Sequence, residues 1–314
     1  MDTIISIQPR SATAGSGQSR NNSAVLSMVD EFVSKLPPAL SNLPSQNKNN
    51  SLTVFLSQEI SQFDRLLNVI RKSLLQLKRA INGLVVMSED LEEMYNCLLY
   101  QSVPPVWSRV AYPSRKPLST WFLDLLDRVK FIKSWIENGE PDVFWIGAFF
   151  FPQGFLTSVL QMHSRKHKIA IDQLQFKTEV MSPSSKLKSK PESGVYIRGL
   201  YMEGARWDAD EGCIQESKKG ELSTVMPVIW LKPITNVDAA DDEMRRMRKS
   251  KSGKIDVPKA MYECPVYKTG ERAGSLSTTG LSTNFVLSVQ LDAGKHDTHH
   301  WTQRAVALLT MIDN

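Results

Sequence analysis

An apolar repeat between residues 56 and 84 constrains the fold of this chain more than any other feature. The residues recur in steps of four and three, at Leu56, Ile60, Phe63, Leu67, Ile70, Leu74, Leu77, Ile81 and Leu84. This spacing predicts one amphipathic helix of about eight turns. Further apolar residues flank the stripe, at Leu66, Val69, Leu75 and Ala80, where a two-stranded coiled coil would place charges. The broad stripe therefore indicates a helix packed inside a bundle.

Four more helices are predicted around this one. The first covers 23–36 and stops at a Pro-Pro pair, and the second covers 88–100 with Ser88 as its N-cap. The third runs from about residue 119 to a stop signal at Gly139, and the fourth from about 153 to the basic residues before 168. The first half of the sequence is thus predicted to be helical.

The apolar period changes to two past residue 172, which is typical of strands. Strands are predicted at 174–180, 194–205, 226–233, 262–268 and 284–291. A polar, charged loop is predicted between about 235 and 260. A last helix is predicted over about 298–312, with one face formed by Trp301, Ala305, Leu308, Leu309 and Ile312. The fold class is α+β: a helical bundle, then a small antiparallel, partly closed β-barrel with a C-terminal helix.

Composition narrows the function classes only slightly. The protein has 314 residues, 41% of them hydrophobic, with a formal net charge of +5 and three widely spaced cysteines. Neither a disulfide framework nor a zinc ribbon fits this cysteine spacing, so a reducing, intracellular compartment is expected. The apolar segment 143–160 is interrupted by Pro152, Gln153 and Gly154, which favours buried core over a membrane span.

A Gly-rich segment near the N-terminus partly matches a phosphate-binding loop. Residues 12–19 read A-T-A-G-S-G-Q-S, so the first Gly of the motif is replaced by Ala12 and the phosphate-binding Lys by Gln18. The side chain that neutralises phosphate charge is therefore missing. We interpret this segment as a flexible Gly/Ser stretch that binds no nucleotide, with a helix starting only near residue 22 or 23.

Other residue clusters allow rival interpretations. His163 and His167 have the spacing of a helical zinc site, but Arg and Lys lie between them where a zinc hydrolase needs a Glu base. Glu203, Arg206 and Asp208 form a possible acid/base cluster, with salt bridging as the simpler interpretation.

Two more clusters are polar or basic. His296, His299 and His300 lie in a polar turn and are interpreted as solvated. The basic run 245–254 is interpreted as a solvated loop, with binding to tubulin or anionic lipid as the alternative.

The segment F-W-I-G-A-F-F-F-P-Q-G-F-L-T-S-V-L-Q at 144–161 resembles the C-terminal region of axonemal dynein heavy chains. Further stretches that match in the same order lie at 81–92, 103–107, 111–118, 195–208, 226–233 and 264–286. Together these stretches cover most of residues 50–314. The motifs F-F-F-P-Q-G-F and S-T-T-G-L-S-T-N carry the axonemal assignment. One departure is Leu281, where relatives often have His.

The resemblance implies a division of the protein into three parts. Residues 1–50 look like the trailing segment of the last AAA+ module and a linker, 51–171 like a helical subdomain, and 172–314 like a β-barrel subdomain with a C-terminal helix. The Ala12 and Gln18 departures are then expected, since the nucleotide-binding loops of the family lie upstream.

The implied function is that of a non-catalytic domain. It would lie on the AAA+ ring of the same heavy chain and modulate an ATP-driven, minus-end-directed microtubule motor. Implied partners are the ring, microtubules through the full motor, and dynein intermediate and light chains, with no nucleic acid, membrane, cofactor or metal. The implied location is the cytoplasm and cytoskeleton, in the axoneme of cilia and flagella.

The residues that the resemblance singles out have structural roles in the family motifs. They are Trp145, Phe149, Phe150, Phe151, Pro152, Gln153, Gly154, Phe155, Gly204, Arg206, Trp207, Pro227, Trp230, Cys264, Pro265, Tyr267, Thr279, Gly280 and Asn284.

Overall fold

The structure is a computed structural model that describes residues 14–42, 50–182, 190–251, 260–272, 274 and 283–312. Within these ranges the side chains of 14–19, 42, 243 and 245–251 are not described. The described residues form two compact units. Of the described residues, unit 1 comprises 14–42, 61–112 and 116–129, and unit 2 comprises 50–60, 113–115 and those from 130 to 312.

Unit 1 is helical. Its elements are α1 (Ala14–Lys35), most of α2 (Ser51–Ile81), α3 (Glu89–Leu99), α4 (Pro105–Ser108) and the first part of α5 (Leu118–Asn138). The long predicted helix is confirmed as α2, and the centre of its apolar stripe is buried: Phe63, Leu66, Ile70, Leu74 and Leu77 are at most 1% exposed. The last residue of the predicted stripe, Leu84, lies beyond the end of α2 and is 70% exposed. Since a helix in water gains most of its stability from such packing, the stripe accounts for the length of α2.

The predicted cap of α3 is also confirmed. The Ser88 hydroxyl accepts a hydrogen bond from the Leu91 backbone N–H at 3.4 Å, and three acidic residues lie in the first turn. These acidic side chains suit the positive end of the helix dipole. In the same unit, the Trp107 indole N–H donates to the Ser73 hydroxyl at 2.8 Å, so the one polar group of this buried ring is satisfied.

Unit 2 combines helical segments with three sheets. Its long helix is α6 (Pro152–His167), preceded by β1 (Val143–Trp145) and a 3₁₀ turn over Ile146–Ala148. The other helices are α7 (Asn236–Lys251) and α8 (Thr298–Gln303). The remaining strands are β2 (Leu174–Val180), β3 (Val195–Arg198), β4 (Tyr201–Glu203), β5 (Arg206–Asp208), β6 (Cys213–Gln215), β7 (Ser223–Val225), β8 (Ile229–Thr235), β9 (Met261–Tyr267), β10 (Phe285–Asp292) and β11 (Ala307–Leu309).

The strands form open sheets. One has the order β1-β3-β8-β2, a second β10-β9-β11-β4-β7, and β5 pairs only with β6 among the described residues. Most pairs are antiparallel, but β1 and β3 are parallel, as are β11 and β9. The α+β class is confirmed. The partly closed barrel is not, because no sheet within the described ranges closes on itself.

The predicted C-terminal helix over 298–312 is confirmed for residues 298–303 and wrong beyond them. The helix ends at Gln303, Ala305 adopts a left-handed conformation with φ 51°, and residues 307–309 form β11 between β9 and β4. All three β11 residues are buried. An apolar run buried on both sides has no polar alternation, so its spacing does not distinguish helix from strand.

The predicted loop over 235–260 is wrong in its first part, where α7 forms. The Thr235 hydroxyl accepts from the Asp238 backbone N–H at 3.1 Å, which caps the helix. The residues of α7 are mostly Ala, Asp, Glu, Met, Arg and Lys, and several of these are strong helix formers despite their charge. The basic run 245–254 therefore begins inside α7, while 252–254 lie outside the described residues. Strands β1, β5, β6, β7 and β11, which are three residues each, were missed.

The three-part domain division stays a prediction. No helix within the described residues combines the length and apolar character needed to cross a membrane.

Candidate functional site

The motif segment 144–155 lies in the aromatic core of unit 2. Phe149 and Phe155 have ring centroids 4.9 Å apart, and Phe55 from α2 contacts both, at 5.0 and 5.7 Å. Trp135 and Phe144 add to the cluster with centroids 5.1 Å apart. These rings are buried, so the aromatic run supplies the packing that holds β1 and α6 to the end of α5.

A buried carboxylate organises the start of α6. Glu59 is 2% exposed, and its two oxygens accept hydrogen bonds from the backbone N–H groups of Phe150 and Phe151, at 2.8 and 3.0 Å. Pro152 then opens the helix, where its missing N–H costs nothing. The negative charge of Glu59 also interacts favourably with the positive end of the α6 dipole. Sequence reasoning missed Glu59; the signal present was an acidic residue on the buried face of α2, one turn before Phe63.

The rest of the motif is fixed by close approach and hydrogen bonding. A Cβ on Gly147 would lie 2.3 Å from the Thr310 carbonyl oxygen, so only Gly allows this contact. The Gln153 side-chain amide donates to the Phe285 carbonyl at 2.6 Å. Trp145 is half-buried, and Phe151 is 54% exposed. Gly154, in the first turn of α6, faces the Phe151 ring.

The motif residues between 204 and 230 lie in different sheets and their connections. Gly204 joins β4 to β5 with φ 82°, and Trp207 pairs with Ile214 in the β5–β6 hairpin. Pro227 precedes β8, and the Trp230 indole N–H donates to the Ser193 carbonyl at 2.9 Å. These residues therefore shape turns and hold strand ends in place.

The motif residues from 264 onward hold the end of β9. Cys264 is fully buried, and burial raises the pKa of its thiol to about 12, so it stays protonated and unreactive. Pro265 lies within β9, and the ring of Tyr267 contacts Phe285 at 6.0 Å. Asn284 accepts from the Thr269 backbone N–H at 3.1 Å and donates to the Thr269 hydroxyl at 3.0 Å. Thr279 and Gly280 lie outside the described residues.

The possible acid/base cluster does not form as one group of contacts. Arg206 pairs with Asp208 at 3.2 Å and also donates to the Gln215 side chain. Glu203 pairs with Arg272, whose other terminal nitrogen donates to the Ala305 carbonyl. The Asp208 carboxylate also accepts from two backbone N–H groups, and these bonds are the main cause of its lowered pKa. Salt bridging and turn formation account for these residues.

The His163–His167 pair lies on α6 with ring centroids 4.2 Å apart. Nδ1 of His163 is 3.1 Å from the Ser193 hydroxyl. Burial, followed by the nearby charges of His167 and Lys166, lowers the pKa of His163. The pair also lines a cavity of about 190 Å³ together with Glu140. Basic Lys166 beside the pair opposes a bound cation.

A second charged cluster, in unit 1, was also missed by sequence reasoning. Asp124 on α5 accepts from Lys116 at 2.9 Å and from Arg128 at 2.6 Å, and the Arg128 guanidinium lies 3.8 Å from the centre of the Tyr112 ring. Burial tends to raise the pKa of Asp124, but Arg128 and Lys116 outweigh it, so the pKa is lowered. Burial also raises the pKa of Tyr112 well above its usual range. This buried cluster, with two cations around one carboxylate, joins parts of the helical unit.

Comparison with known proteins accounts for the motifs. The family model of the C-terminal domain of the dynein heavy chain matches residues 1–310. The protein is 42% identical over 319 residues to dynein axonemal heavy chain 1 of Homo sapiens, with 100% of this sequence and 7% of that protein aligned.

Two more axonemal dynein heavy chains show similar identity. Dynein axonemal heavy chain 6 of Homo sapiens is 37% identical over 342 residues, with 99% of this sequence and 8% of that protein aligned. Dynein axonemal heavy chain 12 of Mus musculus is 40% identical over 319 residues, with 100% and 10% aligned.

The 314 residues therefore span at most 10% of the length of these relatives, and the match falls on the region that the sequence motifs indicated. The aromatic segment, the Gly147 contact and the Asn284 turn belong to a fold that is held together by burial and backbone capping. From the family model and these identities, this protein belongs to the family of C-terminal domains of dynein heavy chains.

Proposed function

We propose that this protein is the non-catalytic C-terminal domain of an axonemal dynein heavy chain, which packs on the AAA+ ring of the same heavy chain and modulates its motor output. The motor would be ATP-driven and minus-end-directed along microtubules, in the axoneme of cilia and flagella. Its nucleotide sites would lie upstream of this region. Intermediate and light chains would be partners within the assembled motor, and this domain itself would need no cofactor.

One observation carries the docking part of this proposal: four consecutive apolar side chains are held in solvent between α2 and α3. Leu84 is 70% exposed, Val85 39%, Val86 86% and Met87 40%. We call residues 84–87 the apolar loop. Single exposed apolar residues are ordinary, but a contiguous run of four is typical of an interaction surface.

The apolar loop is fixed at both ends by helix caps. At its start Gly83, with φ 72°, ends α2: the Leu84 N–H donates to the Arg79 carbonyl at 2.9 Å and the Gly83 N–H to the Ala80 carbonyl at 3.0 Å. This pair of bonds is a Schellman motif. At its end Ser88 caps α3. The exposure is therefore built into two regular helix ends, and it does not arise from a frayed terminus.

Burial of the apolar loop against a neighbouring domain would contribute to docking. Fully burying a Val, Leu or Met side chain is worth about 1.5–3 kcal/mol. The occupant that we favour is the AAA+ ring of the same polypeptide, because this sequence matches only 7 to 10% of each family relative, and the remainder would supply that neighbour covalently. Covalent linkage also raises the effective concentration of the two surfaces, so a modest area is enough.

The test is Val86→Asp in the full heavy chain, with ATPase rate and microtubule gliding velocity as readouts. We expect both to change, because a charge at 86 would oppose burial of the loop. The matched control is Val237→Asp, at another highly exposed Val, which lies 71% exposed on α7. Equal behaviour of the two variants and the wild type would contradict docking through this loop.

A further inference from the structure

Two imidazoles and a carboxylate converge in unit 2 on the outer side of α8. Nε2 of His300 lies 2.7 Å from Oε1 of Glu216, and Nε2 of His296 lies 3.9 Å from the same oxygen. One ligand atom from each of the three residues lies within 4.8 Å of the others. Their side chains are 30 to 42% exposed, so ions can reach them from solvent. None of the family motifs includes these residues.

The three side chains are positioned by separate parts of the fold. Glu216 directly follows β6, His296 lies in the turn after β10, and His300 lies in α8. Both imidazoles stand nearly perpendicular to the buried Trp301 ring, at 89° and 84°, and their own ring planes are within 12° of parallel. The Trp301 indole is itself fixed by a hydrogen bond to the Ala293 carbonyl at 2.9 Å. The fixed Trp301 ring thus supports both imidazoles.

The spacing fits a small transition-metal ion. Zinc binds His nitrogen and carboxylate oxygen at about 2.0–2.2 Å in tetrahedral geometry, which separates neighbouring ligand atoms by roughly 3.4 Å. The observed separations of 2.7 and 3.9 Å between the histidine nitrogens and Glu216 bracket that value. The two imidazoles are stacked within 12° of parallel, so ion binding would tilt their ring planes until both Nε2 lone pairs point at the ion. Imidazole with one carboxylate favours zinc and similar ions over Mg²⁺ or Ca²⁺, which prefer oxygen ligands.

Arg304 competes with a bound ion for the negative charge of Glu216. Its guanidinium lies 2.8 Å from Oε2 of Glu216, the oxygen that does not face the imidazoles. This contact neutralises part of the carboxylate charge, but it also orients Oε1 toward the two histidines, as a supporting hydrogen bond does for a metal ligand. Arg304 and His300 alone would be enough to form an ion-pair cluster with Glu216. The presence of His296 near the same carboxylate is what a metal site explains.

We propose that Glu216, His296 and His300 form a binding site for a divalent ion of the zinc class, with water at the fourth position. A bound ion would link the residue after β6 to the β10–α8 turn and to α8 itself, and would thereby restrain the segment that leads into β11. The site is independent of the apolar loop and of the motor role proposed above.

The experiment measures zinc binding by the 314-residue protein with a competing chelator, in a Cys97→Ser background that removes the partly exposed thiol. We expect one zinc ion per molecule. Both His296→Gln and His300→Gln should weaken binding by at least about tenfold, because each removes a ligand and the loss of a group that merely supports a ligand already costs about 10–100-fold. Zinc should also raise the unfolding temperature of the unaltered site, because a ligand that binds only the folded state stabilises it.

Two histidine variants serve as matched controls. His299→Gln changes the neighbouring exposed imidazole, whose Nε2 contacts Gln303 at 2.9 Å. His163→Gln removes one member of the other histidine pair. Both should retain full zinc affinity. The proposal is overturned if no stoichiometric zinc is bound, if His296→Gln and His300→Gln bind as tightly as the parent, or if His163→Gln abolishes binding. A variant at Val86 that alters motor output while zinc binding persists would separate the two proposals.

Discussion

At the residue scale, the sequence patterns did not predict which charged side chains are buried. Asp124 and Arg128 are four residues apart on α5, a spacing that usually marks an exposed surface pair worth a few tenths of a kcal/mol. The structure buries both, with Arg128 only 1% and Asp124 9% exposed. Each charge depends on the other, since an isolated buried ion carries a large desolvation cost.

We therefore predict that Asp124→Asn lowers the free energy of unfolding by about 3–5 kcal/mol, because it leaves Arg128 buried beside a neutral partner. Urea denaturation measures this change. Asp127→Asn is the control, since Asp127 is exposed on the same helix and should shift stability by less than about 0.5 kcal/mol. Similar effects of the two changes would mean that the cluster is not coupled as its geometry indicates.

At the element scale, α2 and α8 end with the same pair of hydrogen bonds but with different residues. The α2 Schellman motif places Gly83 in the left-handed position. In α8 the Ala305 N–H donates to the Thr302 carbonyl at 2.9 Å and the Val306 N–H to the Trp301 carbonyl at 3.0 Å, so Ala305 occupies the equivalent position with φ 51°. A left-handed conformation costs a residue with a Cβ about 1–2 kcal/mol.

We predict that Ala305→Gly stabilises the protein by up to about 1 kcal/mol, because relief of the left-handed strain exceeds the extra unfolded-state entropy of Gly. If 298–312 formed a continuous helix instead, Gly would cost about 1 kcal/mol. The sign of the change in unfolding free energy, measured by urea denaturation, thus distinguishes the two structures. Gly83→Ala is the matched reverse change and should be destabilising, although its Cβ would meet nothing within 4 Å.

The helices and strands also show which elements the sequence patterns could predict. α2 and α3 could be predicted because their signals are local: a long periodic stripe, and a Ser cap followed by acidic residues. β11 could not, because its strand state depends on pairing with β9 and β4, which are distant in sequence. The three-residue strands are too short to display a period, and α7 was obscured by a charged composition that resembles a loop.

At the scale of the whole molecule, the 314 residues match a small part of a much longer kind of protein. They align with 7 to 10% of the relatives compared, and the N-terminal A-T-A-G-S-G-Q-S segment lacks the phosphate-binding Lys. The expected flexible stretch is wrong for residues 14–19, which form the start of α1, while 12 and 13 lie outside the described residues.

We predict that ATP with Mg²⁺ does not change the unfolding temperature of this 314-residue protein. A ligand at 100 times its dissociation constant would add about 2.7 kcal/mol of stability, which a thermal scan detects readily. A nucleotide-dependent shift, or ATP hydrolysis by the 314 residues alone, would contradict the non-catalytic role.

The sequence alone determined the helical bundle, the change to strands near residue 172, and the family, because each rests on local periodicity or on motifs that can be matched in order. Tertiary structure decided the open sheets, the strand β11, the burial of Asp124 and Glu59, and the meeting of Glu216 with His296 and His300. These features join residues that are distant in sequence or depend on burial, so the energies that stabilise them exist only after the protein has folded.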